Sequence, residues 1–551
     1  MNRYLFYALL GLGVVMRSLM LAQYGLVDGG EVDVYLADEG IVGLMAKHIL
    51  EGRALPVFFY GQDYLGALEA YCATALFAVV GVGLETLRMV PYLFSLALLA
   101  VVYRFTYRAY SVAAARWATA LVAVAPVYFL QWNLKARGGF VEHVVLLFVV
   151  MIVFWRFHFA HDRRASTGAA LGVAAGVAVW VNQLALAYLF VFAAVLALTP
   201  SDRRGLAAAM AGFVLGASLL IGYNVVHPLA TVRALARKAI VMNRVPFEER
   251  DESWAFRGVG KRVEAMPQGA GKLGLVFGVP PGADLERLGL SDEQRRGGPL
   301  TPLRRLLWWL PAFVFGLALV SCRPRRDADG WEPLGSNAVL GLLGLVTVVV
   351  GYVSPRYMLP AYPIAAVAAA VLATRLPVPR RRMLEVGIGA VLAFNVAGWV
   401  DAAAMVGEAG TERDAGDALL ERLGELGIDR CYSAGPLYHL VFASGEKVLF
   451  APLQKNRYPA YDGEVERTED ICYVFRDDQA EKRQHLTLLG ELEKSRVSYQ
   501  TDRVAEYNIL SSFSPRAILS AELISRARAG GVASAEADRD ASRRGEGLDP
   551  G

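Results

Sequence analysis

Two adjacent acids, Asp38 and Glu39, stand in "LADEGIVGLMAKHILEGRALP" (Leu36–Pro56) just after the first apolar segment of the chain. A carboxylate beside a membrane is costly to desolvate, but it is poised to take a proton or hold a metal ion. The bland alternative is local. Asp38 would cap a helix whose apolar stripe, Ile41, Leu44, Met45, His48 and Ile49, lies flat on the lipid. A second cluster, "KARGGFVEH" (Lys135–His143), puts a Gly-Gly turn between the cations Lys135 and Arg137 and the acid Glu142. A third, "SPRYMLPAYP" (Ser354–Pro363), holds the single cation Arg356 beside Tyr357 in an apolar hairpin. Guanidinium groups suit bidentate phosphate recognition, so Arg137 and Arg356, with Lys135, are the candidate phosphate grip. "FFYGQDYLGALEAY" (Phe58–Tyr71) adds Tyr60, Gln62, Asp63 and Tyr64 as substrate-lining candidates; the alternative is an interfacial aromatic belt.

These clusters must be positioned by membrane-spanning elements. The chain of 551 residues is 55% hydrophobic and 20% charged, with mean hydropathy +0.37. Apolar blocks long enough to cross hydrocarbon begin near residues 4, 88, 113, 142, 166, 184, 205, 304, 337, 358 and 383, giving about eleven crossings. The first block lacks a small-x-small cleavage site and reads as an uncleaved anchor, with Arg17 snorkelling toward the outer interface. With the N-terminus inside and Tyr64–Gly83 not crossing, the short inner loops collect Arg104, Arg108, Arg116, Arg156, Arg163, Arg164, Arg203, Arg204, Arg323, Arg325, Arg326, Arg375 and Arg380 to Arg382. The short outer loops then hold only Lys135, Arg137 and Arg356, the bias the positive-inside rule requires. Asp38 and Glu39 fall outside the cytoplasm on this reading. The expectation is a polytopic α-helical cytoplasmic (inner) membrane protein.

The membrane module covers residues 1–400, with external loops at about 23–87, 132–142 and 226–303. Residues 401–525 alternate amphipathic and short apolar runs, as expected of a small external α/β domain. Cys431 and Cys472 occupy matching places in two of its strands, where a disulfide is compatible. Residues 526–551 are nearly devoid of bulky apolar side chains and read as a disordered tail. Basic residues dispersed over loops argue against a nucleic-acid partner. No phosphate-cradling G-x-x-x-x-G-K-[ST] loop, G-x-S-x-G elbow or H-E-x-x-H pair is present.

The Asp-Glu pair, "AKHILEGRALPVFFYGQDYLGALEAY" with the following "LETLRMVPYLF", and "PRYMLPAYP" resemble the GT-C superfamily of polyprenyl-phosphate-sugar-dependent glycosyltransferases. The likeness is nearest the family 39 group of protein O-mannosyltransferases and the lipid A aminoarabinose transferase, over about residues 1–375. It implies a sugar donor on a polyprenyl phosphate and inverting transfer to a hydroxyl of a glycan, lipid or protein, among membrane lipids. It also implies that Asp38, with Glu39 beside it, is the general base or its orienter, and that Glu142 is a second-loop acid. No cofactor is required for certain, although a divalent metal is compatible. The family's Lys-Pro is replaced here by "GQDYLG", so the phosphate falls to Arg137 and Arg356. The competing class is a non-enzymatic flippase or transporter of a lipid-linked saccharide, which would carry internal repeats and paired broken helices.

Overall fold

A computed structural model describes residues 1–22, 32–198, 203–243, 273, 276–278, 299–307, 309–320, 326–327, 330–331, 336–351, 354–405, 411–453, 456–477 and 479–514. The tail after 525, Cys322, residues 23–31 and most of residues 244–298 lie outside these residues. The chain forms two compact units. One is Met1–Glu31 with Ala46–Gly407; the other is Val32–Met45 with Glu408–Gly551.

The first unit is helical. It contains α1 (Arg3–Ala22), the end of α2 (Val32–Leu50), a hairpin of β1 (Phe58–Phe59) and β2 (Gln62–Gly66), and α3 (Leu68–Val80). There follow α4 (Leu84–Ala109), α5 (Val112–Ala123), α6 (Val127–Trp132), α7 (Phe140–His158), α8 (Ala165–Val181), α9 (Ala185–Leu198), α10 (Arg203–Gly216), α11 (Ser218–Val226) and α12 (Ala230–Asn243). The unit closes with α13 (Thr301–Leu306), α14 (Trp309–Val320), a two-residue pair β3 (Arg326–Asp327) and β4 (Gly330–Trp331), α15 (Ser336–Gly351), a 3₁₀ turn (Pro355–Met358), α16 (Ala361–Arg375) and α17 (Val378–Met405). Every apolar block expected from the sequence falls in, or at the start of, one of these helices. By length and composition, five described helices can cross a membrane, or six if the pair α10–α11, bent by 60°, is one span.

The shortness of α5 has a visible cause. An apolar segment that stops inside a packed bundle must satisfy its last carbonyls internally. Arg17 donates to the carbonyls of Val122 at 2.8 Å and Ala123 at 2.5 Å. Tyr362 donates to Leu121 at 3.0 Å and Asn395 to Val124 at 2.8 Å. Arg17 is therefore fully buried, its Nε also donating to Ser95 Oγ at 2.9 Å. This corrects the snorkelling expectation: a helix C-terminus supplies the partial negative charge that water would otherwise offer. Elsewhere, α8 and α10 meet backbone to backbone. Gly172 leaves no room for a Cβ against the Ala209 carbonyl, and Gly212 none against that of Ala169, the small-residue packing usual between membrane helices.

The second unit holds α18 (Thr411–Leu426), β5 (Arg430–Ser433), α19 (Tyr438–Ala443), β6 (Leu449–Pro452), α20 (Ala460–Glu466), β7 (Cys472–Arg476), α21 (Gln479–Lys494), β8 (Ser498–Val504) and β9 (Tyr507–Ser514). Its sheet runs β6-β5-β7-β9-β8, the first three strands parallel and the last two an antiparallel hairpin. Cys431 lies opposite Cys472 in the β5–β7 register, and the two form a disulfide.

Helix α2 departs from expectation twice. It begins at Val32, so Asp38 and Glu39 lie within the helix and Asp38 does not cap it. No Gly or Pro interrupts Val32–Asp38, and nothing local stops the helix from starting earlier. Nor is it a one-faced amphipath. Ala37, Ile41, Val42, Leu44, Met45 and Ala46 are buried together with Glu39 and His48.

Candidate functional site

In the first unit the cationic residues are gathered by a turn that the sequence builds from glycine. Asn133 ends α6, its Nδ2 donating to the Phe129 carbonyl at 2.6 Å. Two residues in left-handed geometry follow, Gly138 at φ 79° and Gly139 at φ 91°, a conformation most side chains avoid. A Cβ on Gly138 would collide with Phe59 and Leu65 of the hairpin, and one on Gly139 would press on Val181. Gly138 N–H donates to Glu69 Oε2 at 2.5 Å, and Asn182 Nδ2 reaches the Gly139 carbonyl at 3.5 Å. The turn is thus pinned on three sides. Lys135 and Arg137, which it carries, are 6% and 3% exposed, so they are not solvated loop charges.

Trp132 organises the rest. Arg137 lies over its ring at 4.1 Å and Arg356 at 5.8 Å. Arg356 also faces Tyr357 at 5.2 Å and Phe140 at 5.9 Å, and its Nη2 donates to Tyr357 Oη at 3.4 Å. Phe140 stacks on Tyr357 at 6.2 Å and meets Trp132 edge-on at 5.3 Å. An aromatic face attracts a guanidinium through the ring quadrupole, and the cluster gathers two guanidinium groups in a poorly hydrated place.

One turn into α7, Glu142 is fully buried and neither carboxylate oxygen has a hydrogen-bond partner among the described residues. His143 beside it is 2% exposed, its ring 5.7 Å from that of Tyr188. On the hairpin, Tyr60 pairs with His48 Nδ1 at 3.0 Å and Asp63 accepts from Tyr223 Oη at 3.0 Å. Gln62 and Tyr64 are half-buried in β2.

In the second unit Asp38 Oδ1 accepts from Arg457 Nη1 at 2.6 Å, and Glu39 is buried next to it in the helix. Among the described residues no three His, Cys, Asp or Glu side chains form a group that could hold a metal ion. Sequence reading proposed Arg137, Arg356 and Tyr357, which the fold brings to one aromatic cluster. It named Glu69 only as an acid of the first loop beside Asp63, and it passed over Trp132 and Arg457 as site residues. The signal for Trp132 was its place at the head of the loop carrying Lys135 and Arg137.

No family model matches the chain, and no curated protein sequence matches it. Solved structures do. ArnT from Cupriavidus metallidurans bound to undecaprenyl phosphate aligns with TM-score 0.59 at 13% identity, over 94% of this chain and 99% of that one. Its apo form aligns with TM-score 0.58 at 13% identity, over 93% and 98%. The Archaeoglobus fulgidus oligosaccharyltransferase in complex with Zn and sulfate aligns with TM-score 0.50 at 14% identity, over 90% of this chain and 71% of that one. The chain has the fold of ArnT from Cupriavidus metallidurans.

Proposed function

We propose that this protein transfers a sugar from a polyprenyl-phosphate-linked donor to a hydroxyl acceptor, with inversion, at the outer face of the cytoplasmic membrane. The observation that carries the reading is the pair of guanidinium groups, Arg137 and Arg356, gathered on the buried Trp132 ring in a fold shared with a protein crystallised with undecaprenyl phosphate.

The reaction has two requirements, a base for the acceptor hydroxyl and cations for the leaving phosphate. The acceptor oxygen attacks the anomeric carbon while the bond from that carbon to the phosphate oxygen breaks. The hydroxyl proton goes to a carboxylate, for which Asp38 is the candidate, with Glu39 beside it. The bonding electron pair leaves with the phosphate, whose charge Arg137, Arg356 and Lys135 would stabilise. General-base help contributes about 10²–10⁴-fold, and preorganised charge at the leaving group supplies more. Glu142, deeply buried next to the same turn, is the second acid of the reading, with Tyr60, Gln62, Asp63, Tyr64 and Tyr357 toward the substrate.

The Cys431–Cys472 disulfide supports an external second unit, because such bonds persist in oxidising compartments. The arginine bias supports an N-in arrangement of about eleven crossings. A transporter calls for two broken helices in corresponding halves, whereas one bent pair, α10–α11, is present among the described residues.

The test uses the purified full chain and undecaprenyl phosphate, with binding read by native mass spectrometry. Saturable binding that is lost in Arg137→Ala/Arg356→Ala supports the reading. Binding unchanged in that double variant removes the phosphate role.

A further inference from the structure

Asp38 sits within α2, where a helix terminus cannot orient its carboxylate. Its orientation comes from the second unit. Gly40 brings the helix down onto the backbone of Tyr438 and His439, and Gly43 brings it onto the Phe442 ring; a Cβ at either would clash. This close seating puts Asp38 beside the segment "RYPAYDG" (Arg457–Gly463), which leads into α20 and whose Arg457 Nη1 donates to Asp38 Oδ1 at 2.6 Å. Arg457 is itself held. Its N–H donates to Tyr438 Oη at 2.7 Å, and Tyr438 Oη donates to Asn456 Oδ1 at 3.0 Å. Asn456 Oδ1 also accepts from Tyr458 N–H at 2.9 Å. The side chains of Arg457 and Asp38 are only 22% and 14% exposed, unlike the loosely held pairs of a wet surface.

We propose that Arg457 is a positioning residue for Asp38, so that the C-terminal sheet domain supplies part of the setting of the acid. This rests on Asp38 being the base of the proposed transfer. A guanidinium tied at 2.6 Å fixes the carboxylate rotamer, and the Tyr438–Asn456 network fixes the Arg457 backbone from which that side chain extends. A pair that merely fastened α2 to the domain would matter for stability alone.

The experiment expresses full-length variants in cells deleted for the gene. It reads surface-glycan product per protein by mass spectrometry, undecaprenyl phosphate affinity by native mass spectrometry, and thermal midpoint in detergent. Arg457→Gln is expected to lower product about 10–100-fold, the scale of a misplaced catalytic group, with affinity within about twofold. Arg457→Lys should recover a large part of the product. Tyr438→Phe, which keeps the cation but releases the Arg457 backbone N–H, should give a smaller loss of the same kind. Normal product in Arg457→Gln while Asp38→Asn is inactive would overturn the proposal; so would product and affinity falling together. The pair itself is read without activity: additive midpoint losses in Asp38→Asn, Arg457→Gln and the double variant would refute it. A wild-type protein that yields no product, with the midpoints coupled, would instead count against the transfer reaction.

Discussion

Around Trp132 two guanidinium groups rest on aromatic faces, Arg137 at 4.1 Å and Arg356 at 5.8 Å, whereas Asp38 is bound to Arg457 by a 2.6 Å ion pair. The two arrangements suit opposite tasks. A ring attracts a cation by its quadrupole, which sets where the guanidinium lies. An ion pair spends much of its field on the partner but fixes where the carboxylate points. The supports differ as well. The cations hang on a turn that demands left-handed glycines at 138 and 139, so a few local residues define it. The acid depends on an arginine 419 residues away in the chain.

The largest effect should fall on the acid side. Asp38→Asn is expected to lower transfer about 10²–10⁴-fold, the usual worth of a general base, while protein level is unchanged. Near-normal surface glycans in that variant would remove the base assignment. On the cation side, Arg356→Ala or Arg137→Ala should weaken undecaprenyl phosphate binding about 10–100-fold, the loss of one hydrogen bond to a charged group. Arg104→Ala, an exposed residue near the end of α4, should change it by less than about twofold, and equal losses in all three would dissolve the distinction. Trp132→Leu should cost about 3–10-fold in the same binding by removing the shared ring, and should lower the thermal midpoint because the ring is buried. An unaltered affinity would mean that the ring only packs.

The smallest effect is one of pH on the second unit. Burial pushes the His439 imidazole down to about 4, so the folded domain prefers it neutral. Its unfolded chain binds that proton more readily, and stability should fall as pH drops from about 6.5 to 4. His439→Gln should flatten the midpoint over this window without altering lipid affinity. An equally steep decline in the variant would assign the acid sensitivity to other groups.

Much of the architecture was legible because it follows from local patterns. Apolar blocks mark the membrane helices, and "DRCYSA", "EKVLFAP" and "DICYVFR" mark β5, β6 and β7 with their cysteines in register. The edge hairpin β8–β9 was missed. Its outer strand alternates exposed and half-buried residues, and it turns at Ala505 in place of a glycine. The lengths of the helices were legible only in part, since α5 ends where side chains of α1, α16 and α17 take its carbonyls. Residue types in the candidate site were readable: acids, a Gly-Gly turn, and the arginines that the fold gathers on Trp132. Their partners were not. Neither the contact of Glu69 with the Gly138 amide nor the reach of Arg457 to Asp38 leaves a trace in spacing, because both are made by tertiary packing across long stretches of chain.

The most direct measurement compares the surface glycans of cells with and without the gene by mass spectrometry. A sugar substituent on a hydroxyl that appears only with the gene, accompanied by released polyprenyl phosphate, is the expected result. Identical glycans in both, with the lipid-linked sugar neither consumed nor accumulated, would contradict glycosyl transfer by this protein.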